Sequence, residues 1–447
     1  MVFNIPKYVK KIIEKIEDKG YSAYIVGGSV RDILIGKDPS DYDVNTDALP
    51  EDIEEIFKEY RTLEVGRKFG TVVVVQDEGI VEVTTFRSDG EYIDGRRPEE
   101  VYFSKNLFDD LSRRDFTINA MAYNEKTGVI DYFNGINDLK KKTITTVGEP
   151  WDRFKEDYLR IMRAIRFATQ LEFSIDNKTK DACRLYGEYI SNISIERIRE
   201  EFFKILLTKK PSYGIRLLGD INVLAIILPE LIEAIGFNQH NPNHDKDVYE
   251  HTLSVLDNTS AILHLRLAAL LHDIGKPKTF TRDDNGVGHF YGHDKLGANM
   301  AKDVLQRWKS SNELIEKVTI LIDKHMSQHD DIGEKGLKRL ISKVGKEDIF
   351  ILLELQKSDR LSSNMNANIE DLLEREKKIK EIIQNKEVYE KNQLAINGND
   401  VVELGYKQGK IIGEILDYLL EEVLENPDLN ERDKLIELVK EKFKIKD

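Results

Sequence analysis

The most restrictive feature of the chain is an apolar strand that runs straight into a glycine pair. Residues 21–26 read as the strand, Gly27-Gly28 as the turn, and Ser29-Val30-Arg31-Asp32 as the start of a short helix. Glycine has no Cβ, so backbone here can approach an anion closely and offer its N–H groups to phosphate. Ser40-Asp41-Tyr42-Asp43-Val44 comes next. Side chains two apart on a strand leave the same face, so with Tyr42 in a strand Asp41 and Asp43 enter one cavity. Paired carboxylates beside a phosphate-binding turn are a donor set for Mg²⁺ carrying a nucleoside triphosphate. Attack of a ribose 3′-hydroxyl there, with one metal on the nucleophile and one on pyrophosphate, is nucleotidyl transfer. Either half alone is weak, since Asp-x-Asp is common in solvated loops and Gly-Gly in plain turns.

Around this segment the pattern is that of an α/β module with a small mixed sheet. Residues 6–19 carry Val9, Ile12, Ile13 and Ile16 at helical spacing and stop at Gly20, and residues 50–60 open a helix with proline. Residues 70–76 and 80–87 read as Val- and Thr-rich strands. Glu82 interrupts the second one, facing either solvent or the metals as a third carboxylate. Residues 88–105 form a charged loop containing Asp94-Gly95-Arg96-Arg97-Pro98. Beyond residue 137 nearly everything reads as amphipathic helix, broken at Pro211, Pro229, Pro242 and Pro277. The expected class is therefore α+β, with a nucleotidyltransferase α/β head followed by all-helical regions.

The formal net charge of -14 argues against a generic nucleic-acid coat, yet residues 137–216 hold 17 Lys/Arg against 12 Asp/Glu. That segment is either where an anionic substrate lies or a solvated helical surface. No apolar run is long enough to span a membrane, and the start of the chain does not read as a signal peptide. A single cysteine, Cys183, excludes an intrachain disulfide and fits a reducing cytoplasm.

In Glu156-Asp157-Tyr158-Leu159-Arg160-Ile161-Met162-Arg163-Ala164-Ile165-Arg166, the residues Asp157, Arg160, Arg163 and Arg166 recur every three positions. Helical geometry puts them on one edge, with Leu159, Met162, Ile165 and Phe167 on a separate apolar stripe. A carboxylate can accept from the exocyclic amine of cytosine or adenine, and arginine can donate to a ring nitrogen or O2. Such an edge could choose C and A without a template; equally, the spacing suits ordinary salt bridges on an exposed helix. In Arg113-Arg114-Asp115-Phe116-Thr117-Ile118-Asn119-Ala120, Asp115 is expected to cap a short helix while Arg114 reaches a nucleotide.

These stretches, in this order, resemble the class II tRNA nucleotidyltransferase and bacterial poly(A) polymerase family over residues 20–235, with Arg197-Ile198-Arg199-Glu200-Glu201-Phe202 resembling the family's next motif. The resemblance implies a catalytic head over residues 1–137 and a neck and body over 138–240. It implies Mg²⁺ on Asp41 and Asp43, and a triphosphate on Gly27, Gly28 and Arg31. Arg114, Asp157, Arg160, Arg163 and Arg166 would form the nucleotide pocket, with Asp157 and Arg160 nearest the base. The implied partners are CTP, ATP and the acceptor end and T arm of tRNA; no membrane or DNA partner is expected. The loop at 94–98 resembles one found in members that add the whole CCA rather than CC alone. A poly(A) polymerase or A-adding enzyme shares nearly every motif.

All nine histidines fall between 240 and 329. His251, His272-Asp273 and Asp359 resemble the order of the HD phosphohydrolase superfamily, implying a metal domain over residues 241–365 and a helical tail over 366–447. Imidazole and carboxylate ligands suit a transition-metal ion, with bound water as nucleophile toward a phosphoester. His293 and His325 could add a second metal. His240, His244, His264, His289 and His329 read as surface or packing residues. A reading of another class makes the chain an HD phosphohydrolase whose head only senses nucleotide.

Overall fold

Alternating β-branched residues build the first part of the chain into strands β1 (Ala23–Val26), β2 (Asp43–Thr46), β3 (Arg61–Leu63), β4 (Thr71–Gln76), β5 (Gly79–Thr85), β6 (Arg87–Asp89), β7 (Val101–Phe103), β8 (Met121–Asn124) and β9 (Gly128–Asp131). The computed structural model describes residues 3–63, 69–90, 101–241, 245–329, 332–363, 367–385 and 387–443; the loop at 94–98 and His244 lie outside them. Two compact units result, Met1–Pro229 and Glu230–Asp447.

In the first unit seven strands form one mixed sheet in the order β3-β4-β5-β2-β1-β8-β9, while β6 and β7 form a ribbon of their own. Within that sheet only β2 and β5 pair in parallel, with Asp43 opposite Glu82. Ile25, Val44, Val72, Val74, Val81 and Val83 are all fully buried, which pins the register because a one-residue slip would expose them. The strand expected to include Tyr42 begins instead at Asp43, so Tyr42 precedes β2 with its side chain buried.

Helices α1 (Lys7–Glu17), α2 (Gly28–Leu34), α3 (Pro50–Ile56), α4 (Leu107–Ser112) and α5 (Gly135–Lys141) accompany the sheet. The helix expected over 50–60 stops at Ile56, where Phe57 turns fully into the core. Leu107 and Leu111 of α4 pack with Val26, Phe86 and Ala122. That contact holds α4 beside the carboxyl end of β1, where Gly27 begins the turn. Then come α6 (Pro150–Glu156), α7 (Leu159–Leu171), α8 (Asn177–Tyr186), α9 (Ile195–Leu206) and α10 (Pro211–Asp220). A Cβ on Gly214 of α10 would lie 2.5 Å from Ile205 Cγ2 and 2.6 Å from Thr169 Oγ1, so α10 approaches α7 and α9 as closely as it does only with glycine there.

Among the described residues the second unit is helical apart from one short ribbon, Thr281–Arg282 with Gly288–His289. Helix Val248–Asp257 packs on Asp348–Ser363, and Leu263–Leu271 on Asn312–Lys324. This arrangement brings His251, His272, His325 and Asp359 inward from separate elements. A further apolar cluster around Ile396, Val401, Ile415, Leu419 and Leu435 closes the C-terminal helices. No helix among the described residues is long and apolar enough to cross a membrane.

Candidate active site and metal centre

Three carboxylates meet at the start of β2. Asp43 pairs with Glu82 across the parallel ladder, and Asp41 lies two residues earlier, exposed. Burial pushes the Asp43 carboxyl up, the Arg114 guanidinium pulls it down, and the charges of Asp41 and Glu82 raise it again, to about 6. A site where buried and neighbouring negative charge raises proton affinity suits a divalent cation. Deprotonating Asp43 opposes folding, because its carboxyl titrates near 3.8 in the unfolded chain and near 6 in the folded one. That penalty is absent below pH 3.8 and complete above 6. Asp43→Asn is therefore expected to stabilise chelator-treated protein by up to about 3 kcal/mol at pH 7 and by almost nothing at pH 3.5, measured by denaturant unfolding at both.

The glycine turn is built around arginine. Gly27 has φ 73°, and a Cβ there would sit 2.6 Å from Arg114 Nη1. Arg114 donates to the Asn119 carbonyl and the Asp110 carboxylate. Arg31, on α2 and buried, donates through Nη1 to Asn119 Oδ1 at 2.8 Å and through Nε to Asp32. Arg31 thus pairs with its chain neighbour Asp32 as well as with the distant Asn119. Asp110 also accepts from Asn45 on β2, tying the arginines to the strand that carries Asp43.

Asp115 does not cap a helix. Its Oδ1 accepts from Phe116 N and Asn119 Nδ2, and its Oδ2 from Arg163 Nε at 2.7 Å, while the short 3-10 turn Thr117–Asn119 follows without a side-chain cap. Burial alone would raise this carboxyl, but the charge and hydrogen bond of Arg163, with Arg160 and Asn119, together hold it below the usual range.

Nor do the four residues at three-residue spacing share one edge. Asp157 sits between α6 and α7 in extended conformation, accepting from Leu159 N and from Arg197 Nη2 at 3.0 Å. Arg160 is buried, donating to Glu156 and to the carbonyls of Arg153 and Arg113. Arg166 donates to Glu201 at 2.5 Å. The guanidinium carbons of Arg31, Arg163 and Arg166 lie 5.3, 5.5 and 3.9 Å from the ring centre of Phe167, so one buried aromatic gathers all three. Asn119, Glu156, Arg197 and Glu201 thus complete the site. All four fall inside the two arginine-rich motifs or the 197–202 segment, but spacing alone does not show which side chains they meet.

In the second unit four imidazoles converge. The Nδ1 atoms of His272, His293 and His325 lie 2.9, 2.7 and 2.6 Å from the carbonyls of Ala269, Phe290 and Ile322. Those carbonyls can only accept, so each Nδ1 carries a proton, and in the neutral ring each Nε2 presents a lone pair. His293 Nε2 and His325 Nε2 then face each other at 3.2 Å, two acceptors with no proton between them. Nε2 of His272, His293 and His251 lies 3.2, 3.5 and 3.6 Å from the Asp273 carboxylate, and His251 Nε2 lies 2.9 Å from Asp359 Oδ1. The buried atoms His272 Nε2 and Asp273 Oδ1 make no hydrogen bond. Two ligand sets share Asp273: one with His251 and His272, one with His293 and His325. Lone pairs held on backbone carbonyls and aimed at one another are the arrangement of metal ligands rather than of a packed core. The centre opens on a cavity of about 880 Å³ that Lys276, Tyr291 and Arg360 also line. Of the other histidines, His240 meets Arg282, His264 meets Asp348 and His289 meets Asp283.

Comparison with known proteins adds an independent line. Residues 23–145 match the family model described as "Poly A polymerase head domain", 172–235 the one described as "Probable RNA and SrmB- binding site of polymerase A", and 293–439 the one described as "tRNA nucleotidyltransferase domain 2 putative". A CCA-adding enzyme of Ligilactobacillus salivarius is 34% identical over 98% of both chains. Another, of Pediococcus pentosaceus, is 33% identical over 92% of this chain and 91% of its own. Among solved structures, the Bacillus stearothermophilus CCA-adding enzyme in complex with CTP superposes with a TM-score of 0.69 at 27% identity, covering 97% of each chain.

Proposed function

This chain belongs to the family of CCA-adding enzymes, and from that premise we propose that it builds or repairs the 3′-terminal CCA of tRNA without a template, using CTP and ATP. The observation that carries the reading is the carboxylate crowd of Asp41, Asp43 and Glu82, in which burial and the charges of the two neighbouring acids raise the proton affinity of Asp43, as suits a group that binds a cation. Asp41 and Asp43 would hold Mg²⁺, with Glu82 beside them. Ions bound there supply activation of the attacking 3′-hydroxyl and neutralisation of the departing pyrophosphate. The backbone at Gly27 and Gly28, with Arg31 and Arg114, binds and orients the triphosphate. Phe167 gathers Arg31, Arg163 and Arg166, so the head and the helix that follows it act on one nucleotide. Asp157, steadied by Arg197, accepts from the exocyclic amine of C or A; uracil and guanine offer a carbonyl at the corresponding place. Arg160, held by Glu156, fixes the start of α7 so that Asp157 keeps its position. The test is incubation of purified protein with tRNA lacking CCA and each labelled triphosphate. Two CMP followed by one AMP supports the reading, whereas use of ATP alone assigns a poly(A) or A-adding activity and overturns it.

The convergence of four imidazoles and two aspartates supports a second activity. His251, His272, Asp273 and Asp359 would hold a transition-metal ion, and His293 and His325, sharing Asp273, a second one. Metals there supply a nucleophilic water to a phosphoester. Lys276 and Arg360 place cations beside the centre for its phosphate. Elemental analysis of the purified protein together with hydrolysis of nucleoside 2′,3′-cyclic phosphates tests this. Protein with neither metal nor hydrolysis, even after reloading with Mn²⁺, Ni²⁺ or Co²⁺, would leave a centre that only packs.

A further inference from the structure

Beside Asp157 three tyrosines from separate places in the chain stack together. Tyr158 precedes α7, Tyr186 ends α8, and Tyr189 lies on the 3-10 turn Gly187–Asn192. The rings of Tyr158 and Tyr189 lie nearly parallel, centroids 5.2 Å apart and planes inclined by 17°. Tyr186 stands 6.2 and 6.1 Å from them, with Lys155 Nζ 5.9 Å from its own ring centre. Tyr189 is 40% exposed and its neighbour Leu185 58%. None of the three hydroxyls hydrogen-bonds to the described residues. A buried seam would be filled by Leu or Phe, whereas rings with unbonded hydroxyls at the surface make an amphipathic platform.

We infer that this stack receives the unpaired base at the 3′ end of the RNA acceptor, which rests on the reading above that the acceptor is RNA. Two observations select RNA as the occupant. Tyr158 follows Asp157 directly in the chain, so the platform begins one residue from the proposed base-selecting group. Tyr186 and Tyr189 fall within residues 172–235, the stretch that matches the RNA-binding family model. Stacking also fits the task, because every base has a π-face and ends of differing sequence would be held alike. Base identity would then be read only on the incoming nucleotide, and the tyrosines would hold the growing end in line with it.

The test places 2-aminopurine at the last position of a tRNA lacking CCA and follows its fluorescence without triphosphate. Wild-type protein quenches it; Tyr158→Ala/Tyr189→Ala binds without quenching, and Tyr189→Trp restores the quench. In extension assays, Tyr189→Ala raises KM for RNA roughly tenfold with KM for CTP unchanged, and Tyr189→Phe rescues it. No quench in wild-type protein, or Tyr189→Ala with an unaltered RNA KM, overturns the inference even where CCA addition proceeds. Quenching with no extension of any RNA instead overturns the CCA reading and leaves the platform standing. Equal RNA KM values with only a lowered Tm would make the tyrosines a packing seam and overturn the inference as well.

Discussion

Replacing Asp43 with alanine is expected to lower CMP incorporation into tRNA lacking CCA by about a thousandfold or more, with the chain still folded. Asp43 is the most buried of the three acids and the one whose proton affinity records the charge of the other two. Cations held against a transferring phosphoryl group contribute several kcal/mol of transition-state stabilisation, and each 1.36 kcal/mol is tenfold in rate. Asp43→Asn should lose nearly as much while keeping the shape of the side chain, because the charge is what is removed. Asp41→Ala should fall as steeply, since Asp41 supplies the other half of the pair. The loss belongs in kcat, measured by single-turnover extension, with RNA affinity little changed. The histidine cluster lies in the second unit, so any hydrolysis it performs should persist in Asp43→Ala. If the double variant Asp41→Ala/Asp43→Ala extends tRNA normally, the head performs no chemistry, and the alternative of a phosphohydrolase with a nucleotide-sensing head takes its place.

These residues could be proposed from sequence because chemistry constrains residue type locally: a glycine where a backbone would meet phosphate, acids two apart at the start of a strand. Their arrangement was less legible. Strand β2 starts at Asp43, so same-face alternation does not by itself bring Asp41 and Asp43 together. What sets Glu82 beside Asp43 is the parallel register of β2 and β5, a pairing between segments about 40 residues apart that periodicity cannot reveal. The same holds at α7. Three-residue spacing correctly places arginines along a helix, yet Asp115, Glu156 and Glu201 decide where each guanidinium points, and two of those acids come from distant segments. Asp157 falls outside the helix altogether. Among the histidines, clustering in sequence marked the region, but the backbone carbonyls that orient each Nε2 belong to the fold. Of the tyrosine stack only Tyr186 and Tyr189 stand at a helical spacing, and nothing in the sequence ties them to Tyr158 on a different segment.

Asp273→Ala is expected to empty the metal centre and to destabilise the second unit by about 3–5 kcal/mol, the range for removing one partner of a buried ion pair. The Asp273 carboxylate is the single anion that touches His251, His272 and His293 together with Lys276, whose Nζ lies 2.7 Å away. Without it Lys276 keeps its charge in a buried place, and the two ligand sets lose the group they share. The centre has a pH signature of the same origin. Burial, and then the charges of His272 and His293, bring His325 down from 6.5 to about 4, so it is folded in as neutral imidazole. Its contribution is complete above pH 6.5 and is lost as the pH falls toward 4, because the unfolded chain takes up the proton first. Metal binding also requires neutral imidazole, so metal release and unfolding should both set in on acidification through that window. Elemental analysis and denaturant unfolding between about pH 7.5 and about pH 4 read both effects. His240→Ala, at an exposed histidine paired with Arg282, serves as the control that keeps its metal. An Asp273→Ala protein with wild-type metal content and wild-type stability would show that these imidazoles face one another for some reason other than a cation.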